Sequence, residues 1–291
     1  MKFSLQLFGL DPTEYMVLTE RGEQAGFEAV WVADHVVTPS RFAKVYPYAA
    51  SGDPGFRPQT PLVDVTVTLA FLAARTQRIR LGSGVFVLPM RNPFDVARSW
   101  AALQNLSGGR AVFGIGAGWM AEEFAAVGAD FAERGARTDE MLDVIEKLWT
   151  GEPLEFHGRY FDFDEVHFAG APRVPVPLVF GGHSRPALAR AARRGQGWFG
   201  PNVDLDRTRA LTATLDQLRE QAGRDGLPFT HYVRVVGDLD LDTVRRYQDA
   251  GYEHLVISPF TRLPAGSGVA DRLAAIDDVA GLLGALDAAE A

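Results

Sequence analysis

The sequence predicts an α/β fold, a closed (β/α)8 TIM barrel, and three observations carry the prediction. Short apolar runs that end in glycine or a polar residue alternate with longer stretches of helical period, the pattern of parallel strands joined by crossover helices. Eight such runs occur in 291 residues, more than an open doubly wound sheet with a single reversal point usually holds. No low-complexity tract or long Pro/Ser/Gly linker interrupts them, so one domain spanning 1–291 is expected. A hydrophobic content of 47% is enough for one large core.

In chain order, "FSLQLF" (3–8) is the first strand and "AVWVAD" (29–34) the second. Extra material, Thr38 to Pro61, follows the second strand as an insertion. "IRLGSGVFV" (79–87) is the third strand. Asn92-Pro93 then caps a helix carrying Phe94, Ala97, Trp100 and Ala101 on one face, and Gly108-Gly109 ends it. "AVFGIGAG" (111–118) is the fourth strand. A helix from Thr138 aligns Met141, Leu142, Ile145, Leu148 and Trp149, with Asp139 and Glu140 in its first turn, where the helix dipole favours acids. A second insertion, "LEFHGRYFDFDEVHF" (154–168), alternates like a hairpin around His157-Gly158. "PLVFGG" (177–182) is the fifth strand. The helix after it starts with Ser184 as cap and Pro186 in the first turn; Leu188, Ala191 and Ala192 form its inward stripe. Arg190, Arg193 and Arg194 take the other faces, and Gly195 ends the helix. "GWFGP" (197–201), "HYVRVVGD" (231–238) and "HLVISPF" (254–260) complete the eight. Both insertions are expected at the mouth of the barrel, where long connections shape a site.

Composition excludes several functions. A net charge of −8 does not suit a binder of nucleic-acid phosphates. Cysteine is absent and the six histidines include no His-x-x-x-His pair, so no metal centre is expected. The first ten residues lack a secretion-signal pattern and no apolar run approaches the roughly 20 residues of a membrane span, so a cytoplasmic protein is expected.

Candidate site residues gather at strand ends: Asp34-His35, Ser83-Gly84-Val85, Gly116-Ala117-Gly118 and Gly181-Gly182. A barrel presents these carboxyl ends on one face. The Gly181-Gly182 pair lets backbone approach a ligand, and the helix start at Ser184 suits an anion such as phosphate; an ordinary tight turn is the alternative. "GIGAG" lacks the full dinucleotide spacing, and its glycines are read as admitting a flat ring against the wall. Glu122-Glu123 offers an acid pair for hydrolysis, but neighbours on a helix point about 100° apart, so a solvated face is expected instead.

Taken together, "GFEAVWVADHVV" from Gly26, "RIRLGSGVFVLPMRNPFDVARSWAALQNLSGGRAVFGIGAGWMAEEFAAVG" from Arg78, "EKLWTGEPLEFHGRYF" from Glu146 and "PLVFGGHSRPALARAARRGQGWF" from Pro177 resemble the luciferase-like flavin or deazaflavin monooxygenase and oxidoreductase superfamily. Within it they resemble the coenzyme F420-dependent oxidoreductases, over nearly the whole chain. The resemblance implies a ring of isoalloxazine type at the C-terminal mouth and its phosphate at Gly181, Gly182, His183 and Ser184, although His183 also reads as a surface residue. It places Asp34-His35 beside the reactive ring edge, with His35 as proton donor or acceptor and Asp34 orienting it. Ser83, Gly84 and Val85 fall where relatives carry a non-prolyl cis peptide behind the ring, and Gly116, Ala117 and Gly118 would border it. One position departs. F420-dependent glucose-6-phosphate dehydrogenases carry an acid after their Gly-x-Gly, whereas Trp119 stands here, which points away from a sugar phosphate and toward an apolar or aromatic substrate stacked on Trp119, or else to wall packing. Arg91 reads as structural or as part of a helix cap.

The implied activity is hydride transfer between F420 and a small organic molecule. FMN is the alternative, with reduced flavin delivered by a separate reductase and O2 as co-substrate. A flavin-binding barrel without turnover is a third reading, which Asp34-His35 disfavours. The resemblance also implies a homodimer pairing through the helices near "DVTVTLAFLAART" and "NPFDVARSWAALQ".

Overall fold

The computed structural model describes residues 1–290 except Lys44, Ala50, Gly237, Asp238 and Ala265, with side chains as far as Leu286. In chain order the elements are β1 (Lys2–Leu7), α1 (Tyr15–Gln24), β2 (Ala29–Val32), α2 (Val65–Ala73), β3 (Arg80–Ser83), β4 (Phe86–Val87), α3 (Pro93–Leu106), β5 (Ala111–Gly116), α4 (Ala121–Ala126) and α5 (Arg134–Leu148). There follow β6 (Leu154–His157), β7 (Asp162–Val166), β8 (Leu178–Gly181), α6 (Arg185–Arg194), β9 (Gly197–Phe199), α7 (Leu205–Gln221), β10 (Thr230–Arg234), α8 (Leu241–Asp249), β11 (His254–Ile257) and α9 (Val269–Glu290). Parallel pairing runs β3-β2-β1-β11-β10-β9-β8-β5 and closes through β3 with β5. This is the (β/α)8 barrel expected. Its third strand is broken into β3 and β4 by a cis peptide bond between Gly84 and Val85.

Alternation along β1 shows how the core divides. Phe3, Leu5 and Leu7 join the large apolar layer between sheet and helices, while Gln6 reaches the opposite side, lining a cavity. Inside the barrel Trp31, Phe199 and Tyr232 interlock, both neighbours 4.8 Å from the Trp31 ring centroid. Gly82 makes room, since a Cβ there would come within 2.4 Å of Trp31.

Helix starts follow side-chain capping: Asp64 accepts from Val67 N for α2, Asn92 from Phe94 N for α3, Ser184 from Ala187 N for α6 and Asp204 from Arg207 N for α7. The helix expected from Thr138 begins earlier, at Arg134, so Asp139 and Glu140 are not first-turn acids. Both serve elsewhere, because Arg134 is anchored on the carbonyls of Gly118 and Phe131 and extends the helix by a turn. Several strands are shorter than their apolar runs. "HLVISPF" stops at Ile257 because Pro259–Arg262 is a 3-10 turn, and the last two residues of "HYVRVVGD" lie outside the described residues.

Of the two insertions, the one after β2 forms part of the mouth. The second does not. β6 and β7 pair antiparallel as a hairpin, but it follows α5 rather than a strand end and lies along that helix. Glu140 accepts the amides of Arg159, Tyr160 and Phe161 at its tip, and Phe163 packs on Phe94. None of its residues lines the cavity at the strand ends. Among the described residues no helix is long and apolar enough to cross a membrane.

Candidate active site

Strand register brings the candidate residues to one end of the barrel. Val32 pairs with Ser83, so Asp34-His35 and Gly84-Val85 leave side by side; Ile115 pairs with Phe180, so Gly116–Gly118 meets Gly181-Gly182. A cavity of about 730 Å3 opens there. Asp34, His35, Gly84, Val85, Gly116, Ala117, Gly118 and Trp119 line it, as do Gly181, Gly182, His183 and Ser184. Ser83 does not. It is fully buried, its hydroxyl donating to Gly114 O at 2.7 Å and accepting from Gly114 N at 3.0 Å, and so it fastens β3 to β5.

Val85 forms the floor. A Cβ on Gly116 would stand 2.7 Å from Val85 Cγ2, and one on Gly181 2.9 Å from Val85 Cγ1. The space freed by these two glycines is therefore filled by valine. The reading of bare backbone admitting a ring directly is corrected to this extent: the surface offered above them is the isopropyl group of Val85. At Gly182 the reason is backbone, with φ +109° and a would-be Cβ 2.9 Å from Ala187. Trp198 Nε1 donates to Gly182 O at 2.8 Å and steadies this turn in front of α6.

Asp34 and His35 divide their duties. The Asp34 side chain is fully buried, accepting from Val87 N and Arg91 Nη2, each at 2.8 Å, and so ties β2 to the β4 segment. Burial pushes its carboxyl above the ordinary value, opposed by Arg91 and by the Val87 amide. Arg91 is thus structural, and the cap of α3 is Asn92 alone. The His35 Nδ1 lies 2.7 Å from Glu123 Oε2, while Glu123 Oε1 accepts from Val36 N at 2.6 Å. A carboxylate on Nδ1 fixes that nitrogen as the N–H donor and leaves Nε2 as the exchangeable position.

The Glu122-Glu123 pair is corrected here. Glu123 is buried, 2% exposed, and Glu122 accepts from Ala43 N at 2.8 Å. The 100° between them does not send both to solvent; it sends one to His35 and the other to the insertion loop. Arg190 is a second correction. Instead of an outer face it takes a buried position, 6% exposed, with its guanidinium on Asp139 at 2.7 and 3.0 Å and on Gly135 O at 3.0 Å.

Aromatic side chains build much of the remaining wall, Tyr46, Tyr48 and Phe56 from the insertion and Phe8, Trp119 and Phe131 from elsewhere. Tyr46 is 5.0 Å from Trp119, Phe56 5.2 Å from His35 and Tyr48 4.8 Å from His183. Burial pushes the Tyr48 hydroxyl up to about 12 and lowers His183, whose Nδ1 has no hydrogen-bond partner. These tyrosines and Phe56 were invisible as site residues because the loop has no periodicity. Arg234 was missed too, though a lone arginine in the apolar run "HYVRVV" was a usable signal. It lines the cavity and bonds Tyr46.

The chain can be compared with known proteins. The family model described as luciferase-like monooxygenase matches residues 8–277. An uncharacterised protein of Mycobacterium tuberculosis is 34% identical over 267 residues, covering 91% of this chain and 92% of its own. The F420-dependent glucose-6-phosphate dehydrogenase of Nakamurella multipartita is 30% identical over 257 residues, 86% of this chain and 70% of its own. Among solved structures, an F420-dependent secondary alcohol dehydrogenase in complex with an F420-acetone adduct shares the fold with a TM-score of 0.75 at 19% identity, covering 97% of this chain and 98% of that one.

Proposed function

We propose that this chain, which belongs to the luciferase-like monooxygenase family, is a coenzyme F420-dependent oxidoreductase acting on a small apolar or aromatic molecule. The observation that carries the reading is a single cavity holding both an apolar floor, Val85, and a histidine braced by a buried carboxylate, His35 on Glu123. Relatives named as F420-dependent dehydrogenases support the cofactor.

The residues present fit the cofactor. A flat ring system needs an apolar surface without protruding side chains, and Val85 between Gly84, Gly116 and Gly181 provides one. A phosphate needs donors, and the start of α6 provides first-turn amides, the Ser184 hydroxyl and the orphaned Nδ1 of His183. Bound F420 would supply the hydride donor or acceptor that no side chain can be.

The rest of the chemistry falls to the protein. His35, held by Glu123, exchanges a proton through Nε2 with the oxygen or carbon at which the substrate changes oxidation state. Asp34 acts one step removed, holding through Val87 and Arg91 the segment that follows Val85. Trp119, Tyr46 and Phe56 exclude water and offer ring faces to an apolar or aromatic substrate. With Trp119 where sugar-phosphate enzymes of this kind carry an acid, glucose 6-phosphate is not the expected substrate.

Fluorescence titration with F420 and FMN tests the assignment. Tighter binding of F420 is expected. Tight FMN binding without detectable F420 binding overturns it in favour of a flavin-dependent monooxygenase.

A further inference from the structure

Beside the cavity lies a second chamber of about 560 Å3, between the ends of β10 and β11 and one side of α9. The two share Gln6, Asn202 and Arg234. Most of the remaining wall is hydrocarbon, from Val235, Leu239, Ile257, Leu263, Val279 and Leu282. Asp278, the acid among its described lining residues, is exposed, and Arg262 has a partner of its own.

Arg234 ends β10 at the junction. No carboxylate among the described residues pairs with it; its partner is the Tyr46 hydroxyl, which is neutral. Burial pulls the guanidinium pKa down and Tyr46 offsets only part of this, yet an arginine stays charged in practice. A partly buried cation with no counter-charge among the described residues stands ready for an anion. Space points the same way. Hydride transfer needs two ligands, and if the first cavity takes the cofactor, the adjoining chamber is of the size that small-molecule sites occupy.

We propose that this chamber binds the hydrocarbon chain of the substrate and that Arg234 pairs with its carboxylate, so that the substrate is an amphiphilic organic acid. The proposal rests on the oxidoreductase reading above, and it narrows the apolar substrate to one with a single acidic headgroup at the threshold between the chambers.

Calorimetric titration with decanoate, decan-1-ol and butanoate, with and without F420, tests it. Decanoate should bind about 10- to 100-fold more tightly than decan-1-ol, as a charge-assisted pair would give. Arg234→Met should abolish that preference and leave decan-1-ol unchanged. From hexanoate to decanoate the Kd should fall about fourfold per methylene. Ala275→Phe, which narrows the chamber, should weaken decanoate about tenfold and spare butanoate, with circular dichroism confirming the fold. Equal binding of acid and alcohol, or a preference that survives Arg234→Met, overturns the role of Arg234; affinity independent of chain length overturns that of the chamber. Loss of F420 affinity in Arg234→Met with decanoate unaffected assigns the arginine to an anionic group of the cofactor, and also overturns the proposal. Absence of F420 binding refutes the oxidoreductase reading instead, since the comparison of acid with alcohol is made on the protein alone.

Discussion

Replacing Gly116 with alanine tests whether Val85 is the floor of the cavity. Gly116 does not have positive φ, so alanine meets no backbone strain and the perturbation is purely one of contact. The new Cβ would stand 2.7 Å from Val85 Cγ2, against about 3.5–4.0 Å for carbon atoms at rest. Val85 must therefore retreat by about 1 Å, and overpacking of this kind costs about 1–3 kcal/mol. For 291 residues the entropy of unfolding is about 0.6 kcal/mol per degree, so Tm should fall by about 2–5 °C. Val85→Ala removes the methyl groups that clash, and the double variant should recover most of the loss. The expected coupling is again about 1–3 kcal/mol. Thermal denaturation of the two single variants and the double variant measures it, and F420 titration should show weaker binding in Gly116→Ala as its floor shifts. Additivity within about 0.5 kcal/mol would refute the contact and, with it, the account of why position 116 is glycine.

His35→Ala should lower turnover by about 10² to 10⁴ with little change in F420 affinity, and His35→Ala with Glu123→Gln should be no slower than His35→Ala alone, because the glutamate acts through the histidine; a further loss in the double variant contradicts that order. Gly182→Asp should raise the F420 Kd at least tenfold, since φ +109° and the contact with Ala187 disfavour any side chain there and its charge repels a phosphate; unchanged binding removes this turn from the phosphate site. Arg91→Met should destabilise by about 3–5 kcal/mol by stranding Asp34. Burial already holds that carboxyl above its ordinary value and Arg91 opposes the shift, so in the variant the folded state keeps a proton that the unfolded state releases. Its deficit should then grow as pH rises out of the ordinary carboxylate range and shrink on acidification; urea unfolding at several pH values checks this, and a deficit independent of pH would falsify the pairing. Val67, Phe71 and Leu106 are 70%, 56% and 80% exposed on α2 and α3, so light scattering should show a homodimer that Phe71→Glu dissociates, whereas a monomeric wild type contradicts this use of the face.

The barrel was legible because its signals are local. Alternation in "FSLQLF", the cap at Asn92 and the glycines at 108 and 109 each act over a few residues, and they recur around the closed sheet. The strand ends were legible for the same reason. What escaped depends on tertiary pairing. Nothing next to Glu123 in the sequence says that His35 will stand beside it, and nothing near Arg190 announces Asp139. The glycines at 116 and 181 line the cavity, but their partner was not legible, since Val85 meets them only through the parallel pairing of β4 with β5 and of β5 with β8. The hairpin after α5 had the right pattern but the wrong place, because the face of a barrel on which a connection lies depends on whether it follows a strand or a helix.

The barrel interior below Val85 is filled by Trp31, Phe199 and Tyr232, so nothing passes along its axis. Whatever rests on Val85 can arrive only from the strand-end side, either straight into the cavity or past Gln6, Asn202 and Arg234 from the chamber beside it. The barrel is thus a blind vessel with two openings on one rim, so a ligand that fills one chamber need not bar the way into the other.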